Sequence, residues 1–184
     1  MGRARPIPEL LTKRLRLRAF TAADAPAFHA AYGDPEAMRH WNHAPSPDLE
    51  RTVRYVRGWG APKNAGYMVW AIALRKSDRC VGMVNFHARD AHSARVEIGY
   101  ILVPAEQGKG YMTEALAGLI AHLRDGLRVH RIEAQIEPDN LPSRAVVERL
   151  DFTLEAPLLR DRWRIGKAWR SVSMYALLTG RGEG

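Results

Sequence analysis

The chain has 184 residues, of which 46% are hydrophobic and spread along its length, so it can bury the core of one domain and intrinsic disorder is excluded. The formal net charge of +8 favours an anionic partner: a nucleotide phosphate, an acidic protein or a nucleic acid. The single cysteine, Cys80, excludes a disulfide framework, and no apolar run is long enough to cross a membrane.

The N-terminal part predicts an edge strand and two helices. Met1–Pro8 lacks the apolar stretch of a secretion signal, so we expect a cytoplasmic protein. Leu15 and Leu17 alternate with arginines, which is typical of an edge strand. Thr21 is the predicted N-cap of a first helix, and Ser46-Pro47 predicts the start of a second, with the proline in the first helical position.

The middle of the chain predicts three strands and one long helix. Alternation of apolar residues places the strands at about 66–74, 80–87 and 94–103. From Tyr111 the apolar residues follow helical spacing, so one stripe of this helix should face the core. Gly126 is its predicted end.

The C-terminal part predicts a strand at about 132–136, a short helix at 143–150 and a closing hairpin of strands at 152–158 and 168–178. Together these elements predict a mixed α/β (α+β) fold. We expect residues 1–184 to form a single domain, with its core at about 12–179.

A glycine-rich turn, Gln107-Gly108-Lys109-Gly110-Tyr111, joins the third strand to the long helix. Its glycines allow a tight turn, and the first N–H groups of the helix form an anion site together with the helix dipole. A nucleoside-triphosphate loop needs Ser or Thr where Gly110 stands, and a dinucleotide fingerprint needs Gly where Thr113 stands. The turn therefore predicts another phosphate ligand, or else a plain strand-to-helix connection.

Several motifs, weak alone, occur in the order and spacing of one family. The glycine-rich turn continues into Thr113-Glu114-Ala115-Leu116; the other motifs are Glu97-Ile98-Gly99-Tyr100, Asn140-Leu141-Pro142-Ser143, Val147–Phe152 and Met174–Leu177. With these motifs the chain resembles the GCN5-related N-acetyltransferases (GNAT), in particular the branch that acetylates ribosomal-protein N-termini. The resemblance extends from about Leu15 to Leu178.

The resemblance implies a GNAT fold, in which helices flank a mixed, mostly antiparallel sheet whose central strands splay apart in a V. Acetyl-CoA would lie in this opening as co-substrate, with no metal. Its diphosphate would meet the turn from Gln107 to Tyr111 and on to Met112. Its pantetheine arm would pass Ile101, Leu102 and Val103, and Asn140 and Ser143 would contact the arm near the thioester.

The resemblance also implies direct attack of a primary amine on the thioester. Relatives protonate the leaving thiolate with a tyrosine where Val147 stands; in the ribosomal-protein branch a serine does so, at the place of Ser143. The alternative for Ser143 is a capping role. Glu97, on the strand face opposite Val96, is our first candidate for the general base, with a solvated strand charge as the alternative. Asp161 is a weaker candidate for the base.

Three aromatic or acidic side chains, Trp41, Tyr67 and Asp161, are predicted to contact the acceptor; Trp70 is more typical of a core residue. The predicted acceptor is a protein N-terminal α-amine, of the ribosomal-protein type, or else a small amine such as an amino acid, a polyamine or an antibiotic. His40 and His43 lack the further ligands of a metal site.

A segment that interleaves arginines with tryptophans, Arg160–Arg170, also suits a non-catalytic module that binds RNA or ribosomes. We hold this as the second hypothesis, because nucleic acid is the less favoured partner. We expect no membrane partner, and a homodimer is a further prediction.

Overall fold

The computed structural model describes residues 6–61 and 66–180, so most of Met1–Pro8 lies outside the described residues. In chain order the strands and helices are β1 (Leu10–Leu11), β2 (Leu15–Arg18), α1 (Ala25–Tyr32), α2 (Leu49–Trp59), β3 (Met68–Leu74), β4 (Cys80–Asp90), β5 (Arg95–Leu102), α3 (Tyr111–Asp125), β6 (Arg131–Ile136), α4 (Leu141–Glu148), β7 (Thr153–Ile165) and β8 (Ala168–Leu178). Short 3₁₀ turns at Ala22–Asp24 and Pro104–Glu106 precede α1 and α3.

One eight-stranded sheet, in the order β1-β2-β3-β4-β5-β6-β8-β7, organises the molecule. All neighbours are antiparallel except β5 and β6, which are parallel. Their pairing covers only the register from Arg95↔Arg131 to Glu97↔Glu133, although both strands continue beyond it. The two central strands therefore diverge, and the mixed sheet with a V-shaped opening is confirmed.

The sheet carries a separate hydrophobic cluster on each face. Residues 68, 70 and 72 of β3 belong to one cluster and residues 69 and 71 to the other, as the two-residue period of a strand requires. The first cluster includes the apolar stripe of α3, and the second includes the buried faces of α1 and α2. Within the described ranges, no helix is both long and apolar enough to span a membrane.

The predicted strands and helices are present, but Leu15–Arg18 is not an edge strand, because β1 pairs with its outer side, and several boundaries were wrong. Thr21 precedes the 3₁₀ turn Ala22–Asp24, and α1 begins only at Ala25.

The second helix begins at Leu49 rather than at Pro47, because Asp48 and not Ser46 is its N-cap and accepts a hydrogen bond of 2.6 Å from the N–H of Arg51. Ser46 is buried, and its hydroxyl donates to the Asp48 carbonyl at 3.1 Å.

Two later boundaries also moved. Asn140 caps α4, so this helix begins at Leu141 instead of residue 143. The first strand of the closing hairpin continues to Ile165 and turns at Gly166, which has a φ of 56°. The segment Arg160–Arg170 is therefore built into paired strands rather than a loop.

Candidate active site

A cleft of about 1210 Å³ lies where β5 and β6 separate. Beyond Glu97, β5 pairs only with β4 within the described residues, so its other edge presents backbone N–H and C=O groups to the cleft. Most of the predicted site residues line this cleft: Trp41, Glu97, Ile101, Leu102, Gln107, Gly108, Gly110, Tyr111, Met112, Asn140 and Ser143.

The turn before α3 has the geometry of an anion-binding loop. Gly108 and Gly110 have φ values of 74° and 75°, which side chains other than hydrogen rarely allow. In the described part of the chain, the N–H groups of Gly108, Lys109, Gly110 and Tyr111 donate to no protein acceptor. They lie at the N-terminus of a long helix, where the dipole adds positive potential. Four consecutive free donors can bind an anion the size of a diphosphate.

Three predicted cofactor contacts differ in detail. The N–H of Gln107 donates to the Pro104 carbonyl at 3.2 Å, so it is already used and the free donors begin one residue later. The N–H of Val103 donates to β4 at 2.9 Å, and its buried side chain belongs to the core. The ammonium of Lys109 pairs with Glu106 at 3.0 Å, and Lys109 is not among the residues that line the cleft.

The start of α4 places an amide and a hydroxyl at the opposite side of the cleft. The Asn140 Oδ1 accepts a hydrogen bond of 3.3 Å from the Ser143 N–H, which occupies the capping oxygen and leaves the amide NH₂ available. The Tyr100 hydroxyl donates to the Ser143 carbonyl at 3.2 Å and so fixes α4 against β5. Since Asn140 is the cap, the hydroxyl of Ser143 is not needed for capping.

Glu97 is held in place at the branch point of the V. Its carboxylate accepts from Gln135 Nε2 at 2.7 Å, and His87 Nε2 lies 3.2 Å from the other oxygen. Arg162 Nε donates to Gln135 Oε1 at 3.0 Å, which orients that amide so that its NH₂ faces Glu97. With its side chain 16% exposed, Glu97 is a partly buried carboxylate inside a cleft, not a freely solvated strand charge.

Among the other carboxylates that line the cleft, Glu137 is the most deeply buried. Glu137, nearly fully buried, lies 2.7 Å from His40 Nδ1 and 3.6 Å from Arg170. His40, Glu137 and Asp139 bring possible metal-ligand atoms within 4.8 Å of one another, so two carboxylates that the sequence did not predict lie beside His40. The guanidinium of Arg170 also lies 3.6 Å from the carboxylate of Glu137. His40 therefore contacts an ion-pair network rather than His43.

Of the three residues predicted to contact the acceptor, one lines the cleft and two do not. Trp41 lines the cleft. Tyr67 packs against the cluster under α1 and α2, and burial raises the pKa of its hydroxyl. Asp161 is exposed on β7 and, like Tyr67, is not among the cleft-lining residues. Trp70 is fully buried, which confirms it as a core residue.

Comparison with known proteins agrees with this geometry. A family model described as an acetyltransferase (GNAT) domain matches residues 14–153. An uncharacterized N-acetyltransferase, p20, from Bacillus licheniformis is 31% identical over 92% of this chain and 95% of its own length. The ribosomal-protein-serine acetyltransferase of Escherichia coli is 31% identical over 69% of this chain and 70% of its own.

The chain belongs to the GNAT acetyltransferases. The crystal structure of a GNAT-family acetyltransferase from Bacillus anthracis superposes with a TM-score of 0.82 at 26% identity, covering 93% of this chain and 98% of that one. The protein is therefore an N-acetyltransferase of the GNAT type, a family that takes its acetyl group from acetyl-CoA.

Sequence reasoning missed the side chains that hold the GNAT site in shape. Gln135 and His87 contact Glu97 from two different strands, and Arg162, on a third strand, contacts Gln135. The alternation around residues 132–136 identified a strand but could not say that this strand runs parallel to β5. Gln135 reaches Glu97 only because β6 lies next to β5 in the sheet.

Proposed function

We propose that this chain transfers the acetyl group of acetyl-CoA to the α-amine of a protein N-terminus, of the ribosomal-protein type, in the cytoplasm. The observation that carries the proposal is the run of free N–H groups from Gly108 to Tyr111, open to a cleft whose lining includes the partly buried carboxylate of Glu97. The acceptor class is supported by the E. coli relative, whose name specifies a ribosomal protein. A homodimer remains a prediction.

Acetyl-CoA would enter the V with its diphosphate on the loop from Gly108 to Tyr111. Its pantetheine arm would follow the free edge of β5 along Ile101 and Leu102, much as a strand adds to a sheet edge. The amide NH₂ of Asn140 would donate to the arm. This placement brings the thioester between Glu97 on β5 and Ser143 on α4, both of which line the cleft.

Three tasks then remain for the enzyme: to remove a proton from the amine, to stabilise the oxyanion and to protonate the thiolate. We assign the first to Glu97, the second to unpaired N–H groups of β5, and the third to the hydroxyl of Ser143. For an α-amine, with a pKa of about 7.7–8.0, roughly a tenth is already neutral at pH 7, whereas a lysine amine at about 10.4 is neutral roughly once in a few thousand. A single carboxylate base is therefore better matched to the deprotonation of an α-amine than to that of a lysine amine.

A panel of acceptors tests the proposal. We expect CoA thiol release with acetyl-CoA and peptides that copy ribosomal-protein N-termini, and weaker release with free amino acids, polyamines or amine antibiotics. Peptides whose α-amine is blocked serve as the matched control and should be inactive. Activity on small amines without activity on any peptide would favour the small-amine alternative.

The RNA-binding alternative predicts a different result. Trp169 is 57% exposed, and the guanidinium of Arg164 lies 5.6 Å from its ring centroid, which is the kind of surface that stacks on bases. A non-catalytic module would bind RNA with a steep salt dependence and show no affinity for acetyl-CoA.

A further inference from the structure

An arginine outside the cleft contacts the cofactor loop directly. Arg14 lies in the turn between β1 and β2, and its Nη1 donates to the carbonyl of Lys109 at 2.9 Å. Its guanidinium also stacks 4.7 Å from the ring centroid of Tyr111, the first residue of α3. Arg14 thus contacts the residues on both sides of Gly110, although it does not itself line the cleft.

The same arginine is held by a carboxylate in the first turn of α3. Glu114 accepts hydrogen bonds of 2.6 Å from the backbone N–H of Arg14, from Arg14 Nε and from the hydroxyl of Thr12. Burial by itself would raise the pKa of Glu114, but these hydrogen bonds outweigh it and hold that pKa below its ordinary value. Glu114 is therefore a carboxylate ion one turn from the place where a diphosphate would bind.

Two consequences follow from simple physics. A carboxylate ion near the loop repels a phosphate ligand, and the adjacent guanidinium of Arg14 cancels much of that repulsion. In addition, the carbonyl of Lys109 and the N–H of Gly110 belong to one planar trans peptide and point in opposite directions. Fixing the carbonyl on Arg14 therefore directs the N–H of Gly110 away from Arg14.

We propose that Arg14 is a positioning residue for the diphosphate of the acetyl donor: it sets the direction of the Gly110 N–H through the Lys109 carbonyl and offsets the charge of Glu114. This inference rests on the proposed use of acetyl-CoA by this chain. It assigns a role in cofactor binding to the β1–β2 turn, nearly a hundred residues before the loop.

The test compares two acetyl donors. In the Arg14→Gln variant, KM for acetyl-CoA should rise about tenfold, the effect of losing one charge-assisted hydrogen bond, with kcat little changed. S-acetylpantetheine lacks the diphosphate, so its kcat/KM should be the same for the variant and the wild type. An equal loss with both donors would mean a general structural defect and would overturn the proposal, as would no loss with either.

Further variants separate the two parts of the proposal. Arg14→Gln combined with Glu114→Gln should recover part of the affinity for CoA, because the repelling charge is gone. Arg16→Gln is the matched control; Arg16 pairs at 3.2 Å with Glu9, just before β1, and its replacement should leave both donors unaffected. A wild type that binds no CoA would contradict the proposed function itself. A wild type and an Arg14→Gln variant that bind CoA equally well would contradict only the role of Arg14.

Discussion

Replacing Glu97 with glutamine should lower kcat for an α-amine acceptor by about 100-fold at pH 7, with KM for acetyl-CoA unchanged. Glutamine keeps the size of the side chain but has no basic oxygen to take the proton of the attacking amine. The hydrogen-bond network that holds position 97, Gln135 and Arg162, remains in place in this variant. Steady-state kinetics with a peptide acceptor measures the effect.

The pH dependence of the Glu97→Gln defect identifies its cause. Above the pKa of an α-amine, about 7.7–8.0, the acceptor loses its first proton to solvent, so the ratio of wild-type to variant kcat should shrink by about tenfold between pH 7 and pH 9. Glu50→Gln, an exposed carboxylate on α2, is the control. A Glu97→Gln enzyme with wild-type turnover at pH 7 would show that Glu97 is not the general base.

Replacing Ser143 with alanine should also lower kcat by about 100-fold, because the departing CoA thiolate then lacks its proton donor. CoA affinity should not change, since the backbone N–H of Ser143, which bonds Asn140, is still present. Rapid-quench measurement of a single turnover separates this chemical step from product release.

A conservative change provides the control for Ser143. Ser143→Thr keeps a hydroxyl and should retain most of the turnover, whereas Ser77→Ala, in the turn between β3 and β4, should have no effect. Unchanged turnover in Ser143→Ala would remove the hydroxyl from the mechanism and leave water as the proton donor.

The loop and α3 could be predicted from sequence because their causes are local. Two glycines two residues apart, followed by an apolar helical stripe, determine a turn with free N–H groups at a helix start, and the structure gives both glycines a positive φ. Asp151 illustrates the same principle, since aspartate tolerates left-handed angles and its φ is 63°.

What could not be predicted depends on which strands become neighbours. The support of Glu97 by Gln135 and Arg162 requires β6 to pair with β5 on one side and with β8 on the other. No local period specifies that arrangement. The contacts of Arg14 with Lys109 and Glu114 likewise join segments about a hundred residues apart, and a lone arginine in an edge-strand pattern carries no signal of them.

The start of the second helix shows a competition between two local signals. Ser46 followed by Pro47 is a good N-cap pattern, but Asp48 is an equally good cap two residues later. The structure selects Asp48 because Ser46 is buried and bonds Thr52 at 2.8 Å, which uses its hydroxyl in packing α2 rather than in capping it.

Calorimetric titration of the folded protein with CoA tests the central claim most directly. We expect the wild type to bind with a dissociation constant on the order of 10 µM. Gly110→Val should bind at least about tenfold more weakly, because valine cannot hold a φ of 75° without strain, while Gly58→Ala, where an added Cβ meets nothing within 4 Å, should bind normally. A folded wild type that gives no heat with CoA at millimolar concentration would contradict a diphosphate site at residues 108–111.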